Sequence, residues 1–105
     1  MHESSFEWDL AKEALNLQKH GVNFSIAAKA MRDPFRVIFF DEKHSHNEAR
    51  YYCLGIVGKK VLTIRFVYRD QKLRILGAGY WRKGVKIYEK ENRRRHANWE
   101  NNNNS

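Results

Sequence analysis

The 105-residue sequence contains one cysteine, one proline and no long run of apolar residues. A single cysteine cannot form a disulfide within the chain, and Cys53 lies in the apolar run Tyr51-Tyr52-Cys53-Leu54, which favours a small buried thiol in a reducing compartment. A membrane-spanning helix needs about 20 successive apolar residues, so no span is expected. The first residues also lack the basic and then apolar pattern of a secretory leader, and we expect a cytoplasmic protein that does not enter a membrane.

Positive charge is concentrated in the second half of the chain. Residues 1–58 carry seven Lys/Arg and eight Asp/Glu, a net charge of −1, whereas residues 59–105 carry thirteen and four, a net charge of +9. A chain of this length forms one domain, so one part of its surface should be strongly basic. Such a surface suits a polyanion, and nucleic acid is favoured over an anionic membrane because no strongly apolar helical face accompanies the charge.

The segment Asp9–Gly21 is predicted to form a helix. Asp9 is a suitable N-cap, and five apolar residues recur at the three-to-four spacing of one helical face: Leu10, Ala11, Ala14, Leu15 and Leu17. Lys19 and His20 fall in the last turn, where positive charge suits the carbonyl end, and Gly21 can adopt the left-handed conformation that ends a helix. Two roles stay open for Lys19 and His20, as part of a helix stop or as part of a site.

A second helix is predicted to follow at once, with Asn23 as its N-cap. Its apolar stripe consists of Ile26, Ala27, Ala30 and Met31. Pro34 disfavours helical geometry at Asp33, so this helix should end near Arg32.

Four strands are predicted after Pro34, because β-branched and aromatic residues dominate the segments Phe35–Phe40, Arg50–Val57, Val61–Arg69 and Leu73–Gly79. The breaks at 58–60 and 70–72 have the composition of hairpin turns, so the last three strands should form an antiparallel meander. The segment 6–8 is a candidate edge strand, and the pattern past Gly84 is helical again. These elements predict an α+β fold with two N-terminal helices, a twisted antiparallel sheet of four to five strands and a C-terminal helix. One domain should cover residues 1–95, followed by a disordered polar tail at 96–105.

Alternation along the strand 61–69 separates core positions from surface positions. Leu62, Ile64, Phe66 and Tyr68 should pack under the helices, while Thr63, Arg65, Val67 and Arg69 point to the other face. Arg65 and Arg69 would lie about 13 Å apart on that face, with Arg74 on the neighbouring strand. A solvated sheet face is one interpretation, and the charge asymmetry favours the other, a phosphate-binding surface.

From residue 6 to about residue 90 the order of motifs resembles the BrnT family of toxins from type II toxin–antitoxin systems. The motifs are FEWDLAK at 6–12, Asn16, KHGVNF at 19–24, DP at 33–34, DEKHSHNEAR at 41–50, LGIV at 54–57, Tyr68-Arg69 and LRIL at 73–76. Each is weak alone, and the combination is specific. The resemblance implies a RelE-like fold, ribonuclease activity on RNA without a cofactor or metal, and neutralisation by a small BrnA-like antitoxin. Contact with DNA would be indirect, through that antitoxin.

Residues that match the family's recurring polar positions are Lys19, His20, Glu48, Arg50, Arg69 and Arg74. The chain departs from the family pattern after Leu76, where it has Gly77-Ala78-Gly79-Tyr80-Trp81 and then Arg82-Lys83, and a cation expected at position 79 is missing. Arg82 and Lys83 are candidates to replace that cation. Tyr80 and Trp81 are candidates to stack on an RNA base, and a role in closing the core is the alternative.

Metal-free RNA cleavage needs a base for the 2′-hydroxyl, cations for the charge that builds on the phosphate, and an acid for the departing 5′-oxygen. His20 and Glu48 are the candidate proton-transfer groups, and Arg50, Arg65 and Arg69 are the candidate phosphate ligands.

Two other hypotheses remain. If the strand begins early, His44, His46, Glu48 and Arg50 share a face and offer ligands for a divalent metal. Alternatively, the changed stretch 77–81 leaves a non-catalytic module that binds an antitoxin or nucleic acid.

Overall fold

The computed structural model describes residues 2–3 and 5–103, and in these ranges the chain forms one mixed sheet with helices on both faces and at one edge. The strands are β1 (His2–Glu3), β2 (Phe6–Trp8), β3 (Val37–Phe40), β4 (Tyr51–Val57), β5 (Lys60–Arg69) and β6 (Lys72–Gly79), in the spatial order β1-β2-β6-β5-β4-β3. The helices are α1 (Leu10–His20), α2 (Phe24–Ala30) and α3 (Arg82–Asn103), and a 3₁₀ turn covers Glu42–His44. The predicted α+β class is confirmed, while the RelE-like label stays a prediction.

The predicted meander of β4, β5 and β6 is confirmed, and the fully antiparallel sheet is not. Two-residue turns join these strands, and Asp70 and Gln71 both have positive φ, at 51° and 65°. Such a turn matches the twist of the paired strands. In contrast, β2 runs parallel to β6, with Phe6 opposite Leu73 and Trp8 opposite Ile75. The candidate strand 6–8 is therefore real, and it makes the sheet mixed.

The predicted helix ends agree with the structure. Asp9 accepts hydrogen bonds from the backbone amides of Ala11 and Lys12 at 2.8 and 3.1 Å, and Gly21 closes α1 with φ of 68°. Asn23 caps α2 by accepting a bond from the Ile26 amide at 2.9 Å. These ends depend on the capping residue and its nearest amides, which is why sequence alone locates them. The second helix stops two residues before Arg32, at Ala30.

The apolar face of α1 points to solvent, contrary to the packing expected of it. Leu10, Leu15 and Leu17 are each at least half exposed, and Asn16 is the buried residue of this helix. The Asn16 amide donates to the carbonyl oxygens of Val22 and Ala78 at 2.9 and 2.8 Å, and its oxygen accepts the Ala78 amide at 3.1 Å. Because β2 pairs with β6 only as far as Ile75, Asn16 satisfies the part of the β6 edge that β2 leaves uncovered.

One sheet face carries α2 and the main core. Ala27, Ala30 and Met31 of the predicted stripe are buried there, together with Cys53, Ile64 and Phe66. The approach of α2 is close, because a Cβ on Gly55 would lie 1.9 Å from the carbonyl oxygen of Ala30. Cys53 is fully buried, and burial raises the pKa of its thiol to about 12. Tyr68 was expected in this core and is instead 55% exposed, because it lies near the end of β5, with its ring against Tyr51 and Phe66.

The opposite sheet face carries α3, which covers only one end of it. Val85 and Tyr88 pack on Val37, Leu54 and Val61. The helix continues through residues 96–103, which differs from the disordered tail expected from residue 96; an ion pair between His96 and Glu100 at 3.1 Å spans one turn of this segment. Residues 104 and 105 of that predicted tail lie outside the described part of the chain. The boundary of one domain at residue 95 stays a prediction.

Candidate functional site

The uncovered end of the α3-bearing face is lined by cationic side chains. Strand pairing places Tyr52 opposite Arg65 and Val67 opposite Arg74, so these residues and Arg69 share one side of the sheet. Arg65 and Arg69 are exposed there, as the alternation predicts. Arg50 precedes Tyr52 by two positions and joins them. The cationic surface expected from the charge asymmetry therefore has a definite place, beside the N-terminal end of α3.

Two adjoining depressions form a cleft at this place, and both include Asn16, His20 and Arg65. The first is further lined by Tyr52, Thr63, Ala78, Gly79 and Trp81. The second is further lined by Lys12, Leu15, Lys19, Arg50, Arg69 and Leu76. Six of the predicted site residues, from α1, β5 and the segments before β4 and α3, thus meet in one cleft: Lys19, His20, Arg50, Arg65, Arg69 and Trp81.

His20 is positioned by the last turn of α1. Asn16, one turn earlier on the same helical face, fixes the helix to Ala78, and Gly21 ends the helix directly after His20. The imidazole lies against Gly79, where a Cβ would lie 3.5 Å from its Cγ and Nδ1. The sequence left open whether this segment is a helix stop or part of a site; in the structure it ends α1 and also lines the cleft.

Arg65 lies across Gly77, and this contact explains one of the changed positions after Leu76. A Cβ on residue 77 would lie 2.6 Å from Nη2 of Arg65 and 3.2 Å from Nε. Because residue 77 has no side chain, the Arg65 guanidinium can lie directly over its backbone. Gly77 and Gly79 therefore border Arg65 and His20, two of the three side chains common to both depressions.

Glu48 and Arg69 form a bidentate ion pair beside the cleft. Nε and Nη2 of Arg69 donate to the two carboxylate oxygens of Glu48 at 2.7 and 2.8 Å. The hydrogen bonds from Arg69 lower the pKa of Glu48, and Glu48 in turn raises the pKa of Arg69. Glu48 is consequently an ionised carboxylate at neutral pH, oriented toward a guanidinium. This state suits it to hold Arg69 in place and makes it a poor proton donor.

A row of stacked aromatic rings leads into the cleft. Tyr52 stacks on Phe39, with 5.1 Å between ring centroids, and on Trp81, with 6.0 Å. Burial raises the pKa of the Tyr52 phenol, as do the charge of Asp41 and a hydrogen bond to it, against the opposing effect of Arg65. Tyr52, Asp41 and Asn16 received no role from the sequence. The period-two spacing from Arg50 to Tyr52 is the signal that could have found the tyrosine.

The other predicted RNA-binding residues lie around this cleft. Trp81 lines it, and Nζ of Lys83 lies 5.9 Å above the Trp81 ring. Tyr80 and Arg82 line a separate depression next to α3, where Nζ of Lys60 lies 5.1 Å above the Tyr80 ring. Arg74 pairs with Glu7 at 3.4 Å, on the β2 side. The structure thus brings Trp81 to His20 and Arg65, and it leaves Tyr80, Arg82 and Arg74 outside the cleft.

The alternating histidine pattern proposed for residues 44–50 does not occur. Residues 42–44 form a 3₁₀ turn and β4 begins at Tyr51, so His44, His46, Glu48 and Arg50 are not successive residues on one strand face. His44 pairs with Asp41, and Glu48 pairs with Arg69. In the described residues, no group of three or more His, Cys, Asp or Glu is arranged to hold a metal ion.

Comparison with known families gives a match over most of the folded chain. The model of the family described as "Ribonuclease toxin, BrnT, of type II toxin-antitoxin system" matches residues 8–84. The chain belongs to the BrnT family. Residues 8–84 run from β2 to the first turn of α3 and include the whole cleft. A search of curated proteins gives no match. None of the helices in the described ranges is long and apolar enough to cross a bilayer.

Proposed function

We propose that this BrnT-family chain is an endoribonuclease that cleaves RNA in the cleft between α1 and the sheet without a metal ion. The observation that carries the proposal is the meeting of one imidazole, His20, with the guanidinium groups of Arg65, Arg69 and Arg50. An imidazole is the usual proton-transfer group near neutral pH, and guanidinium groups match phosphate oxygens. The family name supports ribonuclease activity of a toxin.

The chemistry proposed for the cleft is attack of a ribose 2′-oxygen on the adjacent phosphorus. The 2′-hydroxyl proton passes to His20, the new bond from O2′ to phosphorus forms, and the bond from phosphorus to O5′ breaks. Arg65 and Arg69 bind the phosphate oxygens on which negative charge increases, and Arg50 adds a further cation. Preorganised cations of this kind contribute most when they are held in position before the reaction. Glu48 holds Arg69 through the bidentate pair and has no proton-transfer role in this proposal.

The RNA chain is proposed to run across the aromatic row. A base can stack on Trp81 above Tyr52, while Lys83 and Lys19 contact neighbouring phosphates. Tyr80, Arg82 and Arg74 are assigned to the outer parts of the RNA path. A type II toxin of this family acts with an antitoxin, and we propose a BrnA-like protein as the partner and the cytoplasm as the place of action.

The test is cleavage of single-stranded RNA by purified chain in the presence of EDTA. We expect cleavage products with 5′-hydroxyl ends, unchanged by EDTA, and a loss of about 10²-fold or more in rate for His20→Gln. His46→Gln is the matched control, because His46 lies outside the cleft. Binding of RNA without cleavage would instead support the non-catalytic module, and inhibition by EDTA would overturn metal independence.

Induced expression in cells gives an independent measurement. The wild-type chain should stop growth and deplete messenger RNA, with rescue by the gene of the cognate antitoxin, whereas His20→Gln should be tolerated. Normal growth with confirmed expression of soluble wild-type chain would contradict the toxin assignment.

A further inference from the structure

The proposed reaction needs a proton for the departing 5′-oxygen, and neither His20, Glu48 nor the arginines of the cleft are suited to donate it. His20 receives the 2′-hydroxyl proton, and Glu48 is held as a carboxylate by two hydrogen bonds from Arg69. Guanidinium groups do not give up protons near neutral pH. A second proton-transfer group close to the cleft would complete the reaction.

A second imidazole is bound to a buried carboxylate next to the aromatic row. Nδ1 of His44 lies 2.8 Å from Oδ2 of Asp41. The Asp41 side chain is only 8% exposed, whereas that of His44 is 58% exposed. A carboxylate on Nδ1 fixes the ring orientation and directs Nε2 away from the protein, toward solvent or a substrate.

The loop that carries His44 is fixed at both ends. The Asp41 amide donates to the Arg50 carbonyl at 2.9 Å, which extends the pairing of β3 with β4 by one bridge. The Ser45 hydroxyl donates to the Asp41 carbonyl at 2.5 Å and accepts the Arg50 amide at 2.9 Å. The 3₁₀ turn at 42–44 is thereby closed against the start of β4, and His44 is held rather than carried on a free loop.

Asp41 connects this histidine to the cleft. Its carboxylate lies close enough to Tyr52 to raise the pKa of that phenol, and Tyr52 lines the same depression as His20 and Arg65. Tyr52 pairs with Phe39 on one side and with Arg65 on the other, so the three residues share one sheet face. Asp41 follows Phe39 by two positions and lies on that same face. Asp41 therefore links the His44 ring to Tyr52, a side chain of the cleft wall.

We infer that His44 is the general acid of this ribonuclease, with Asp41 as its positioning residue. The inference rests on the proposed function. In its protonated form His44 donates a hydrogen bond from Nδ1 to Asp41 and transfers the Nε2 proton to O5′ as the bond from phosphorus to O5′ breaks. His20 has by then accepted the 2′-hydroxyl proton, so one proton is taken up and one is released. The products are a 2′,3′-cyclic phosphate and a 5′-hydroxyl.

A substrate with sulfur in place of the bridging 5′-oxygen tests this role, because a thiolate leaves without help from an acid. On an all-oxygen oligonucleotide, His44→Gln should lose about 10²-fold or more in rate. On the 5′-thio oligonucleotide it should react within about tenfold of the wild type, whereas His20→Gln should remain slow on both. His46→Gln is the matched control, a histidine two residues along the same loop, and should behave as wild type on both substrates.

Two further variants separate a positioning role from general damage. Asp41→Asn should slow cleavage of the all-oxygen substrate and not of the 5′-thio substrate, and the double variant with His44→Gln should be no slower than His44→Gln alone. In ¹⁵N spectra of the neutral imidazoles, His44 should carry its proton on Nδ1, and Asp41→Asn should remove this preference. His46 serves as the internal reference in the same spectra.

The outcomes distinguish the two proposals. If wild type cleaves both substrates and His44→Gln is equally fast, or equally impaired on both, the general-acid role is overturned and the ribonuclease proposal stands. If wild type cleaves neither substrate, the ribonuclease proposal fails and the role of His44 fails with it. An Nε2-protonated His44 in the wild-type spectra would also overturn the part assigned to Asp41.

Discussion

The hydroxyl of Tyr88 donates a 2.5 Å hydrogen bond to Oδ2 of Asp33, which joins α3 to the turn that follows α2. The same carboxylate accepts the backbone amides of Ile56 and Phe35 at 2.9 and 2.8 Å. Asp33 is therefore a buried charge with three donors. It connects the turn after α2, on one side of the sheet, to α3 on the other.

Replacing Tyr88 with Phe removes one of these donors and little volume. A hydrogen bond to a charged group is worth about 1.5–3 kcal/mol, so we expect the free energy of unfolding at neutral pH to fall by about that amount. Urea denaturation measures it. Tyr80→Phe is the control, because Tyr80 is exposed, and its effect should stay within about 0.5 kcal/mol. An equal loss in both variants would contradict a special role for the Tyr88 hydroxyl.

The stability supplied by Asp33 should depend on pH. Burial raises the pKa of this carboxyl, but the bonds from Tyr88, Ile56 and Phe35 outweigh burial and lower it below the ordinary value of 3.8. A carboxyl with a lowered pKa in the folded state stabilises the fold above its unfolded pKa, and this contribution is lost as the pH falls through the folded value. Asp33→Asn should therefore be less stable than wild type at neutral pH. The difference should shrink below about pH 4, and a constant difference would contradict the prediction.

Gly77→Ala tests whether the position of the Arg65 guanidinium depends on the absence of a side chain at residue 77. The added Cβ would lie 2.6 Å from Nη2, so the guanidinium must move, while the backbone of β6 is left as it is. Misplacement of a catalytic group by about 1 Å can cost about 10²-fold, and we expect RNA cleavage to fall by that order with a nearly unchanged melting temperature. In an Arg65→Ala background the same change should have little further effect. Full additivity of the two changes would show that Gly77 acts on something other than Arg65.

Arg69→Ala should separate activity from stability. The side chain is 45% exposed and its pair with Glu48 is open to solvent, so its loss should leave the melting temperature nearly unchanged. Cleavage should fall by about 10²-fold or more, because a preorganised phosphate ligand is lost. Arg93→Ala, an exposed cation of α3 away from the cleft, gives the control for net charge. A similar fall in cleavage rate in both variants would show that Arg69 contributes only through the net positive charge that attracts RNA.

Salt should weaken RNA binding steeply if the basic half of the chain contacts phosphates. The log of the binding constant should fall with the log of salt concentration, with a slope of about −0.7 per contacted phosphate for single strands. Fluorescence anisotropy with an uncleavable 2′-O-methyl oligonucleotide measures the binding constant of the wild type at each salt concentration, and these values give the slope. Arg65→Ala should make it shallower by about one contact. A salt-independent affinity would remove this role from residues 59–105.

Sequence locates those elements of the fold that depend on neighbouring residues. Asp9, Gly21 and Asn23 mark helix ends because a cap bonds to amides within a few residues, and the turn at Asp70-Gln71 follows from its length. The orientation of α1 could not be predicted in this way. A helical period shows which residues share a face, and the pairing of β2 with β6 decides which face meets the sheet.

The same distinction applies to the site, where residues on a regular strand could be predicted and contacts made by loops could not. Alternation predicts that Arg65 and Arg69 share a face, and it is correct because the register shift beside Arg65 is taken up by β6 and not by β5. The pairing of Asp41 with His44 falls in a 3₁₀ turn, for which alternation gives no guide, although the three-residue spacing of an acid and a histidine is the signal in the sequence that could have found it. Glu48 lies in the loop before β4 and its partner Arg69 lies 21 residues away on β5, and only the folded sheet brings them together.

The outward leucines of α1 affect the colloidal behaviour of the isolated chain. With a net charge of +8, copies repel one another at low ionic strength, and this repulsion keeps the exposed faces of Leu10, Leu15 and Leu17 apart. Added salt shortens the range of that repulsion from about 10 Å at 0.1 M to about 3 Å at 1 M and leaves the apolar attraction in place. The chain should therefore self-associate as salt increases, under the same conditions that release RNA. Light scattering along the salt series distinguishes RNA release that comes from lost phosphate contacts from RNA release that comes from self-association of the chain.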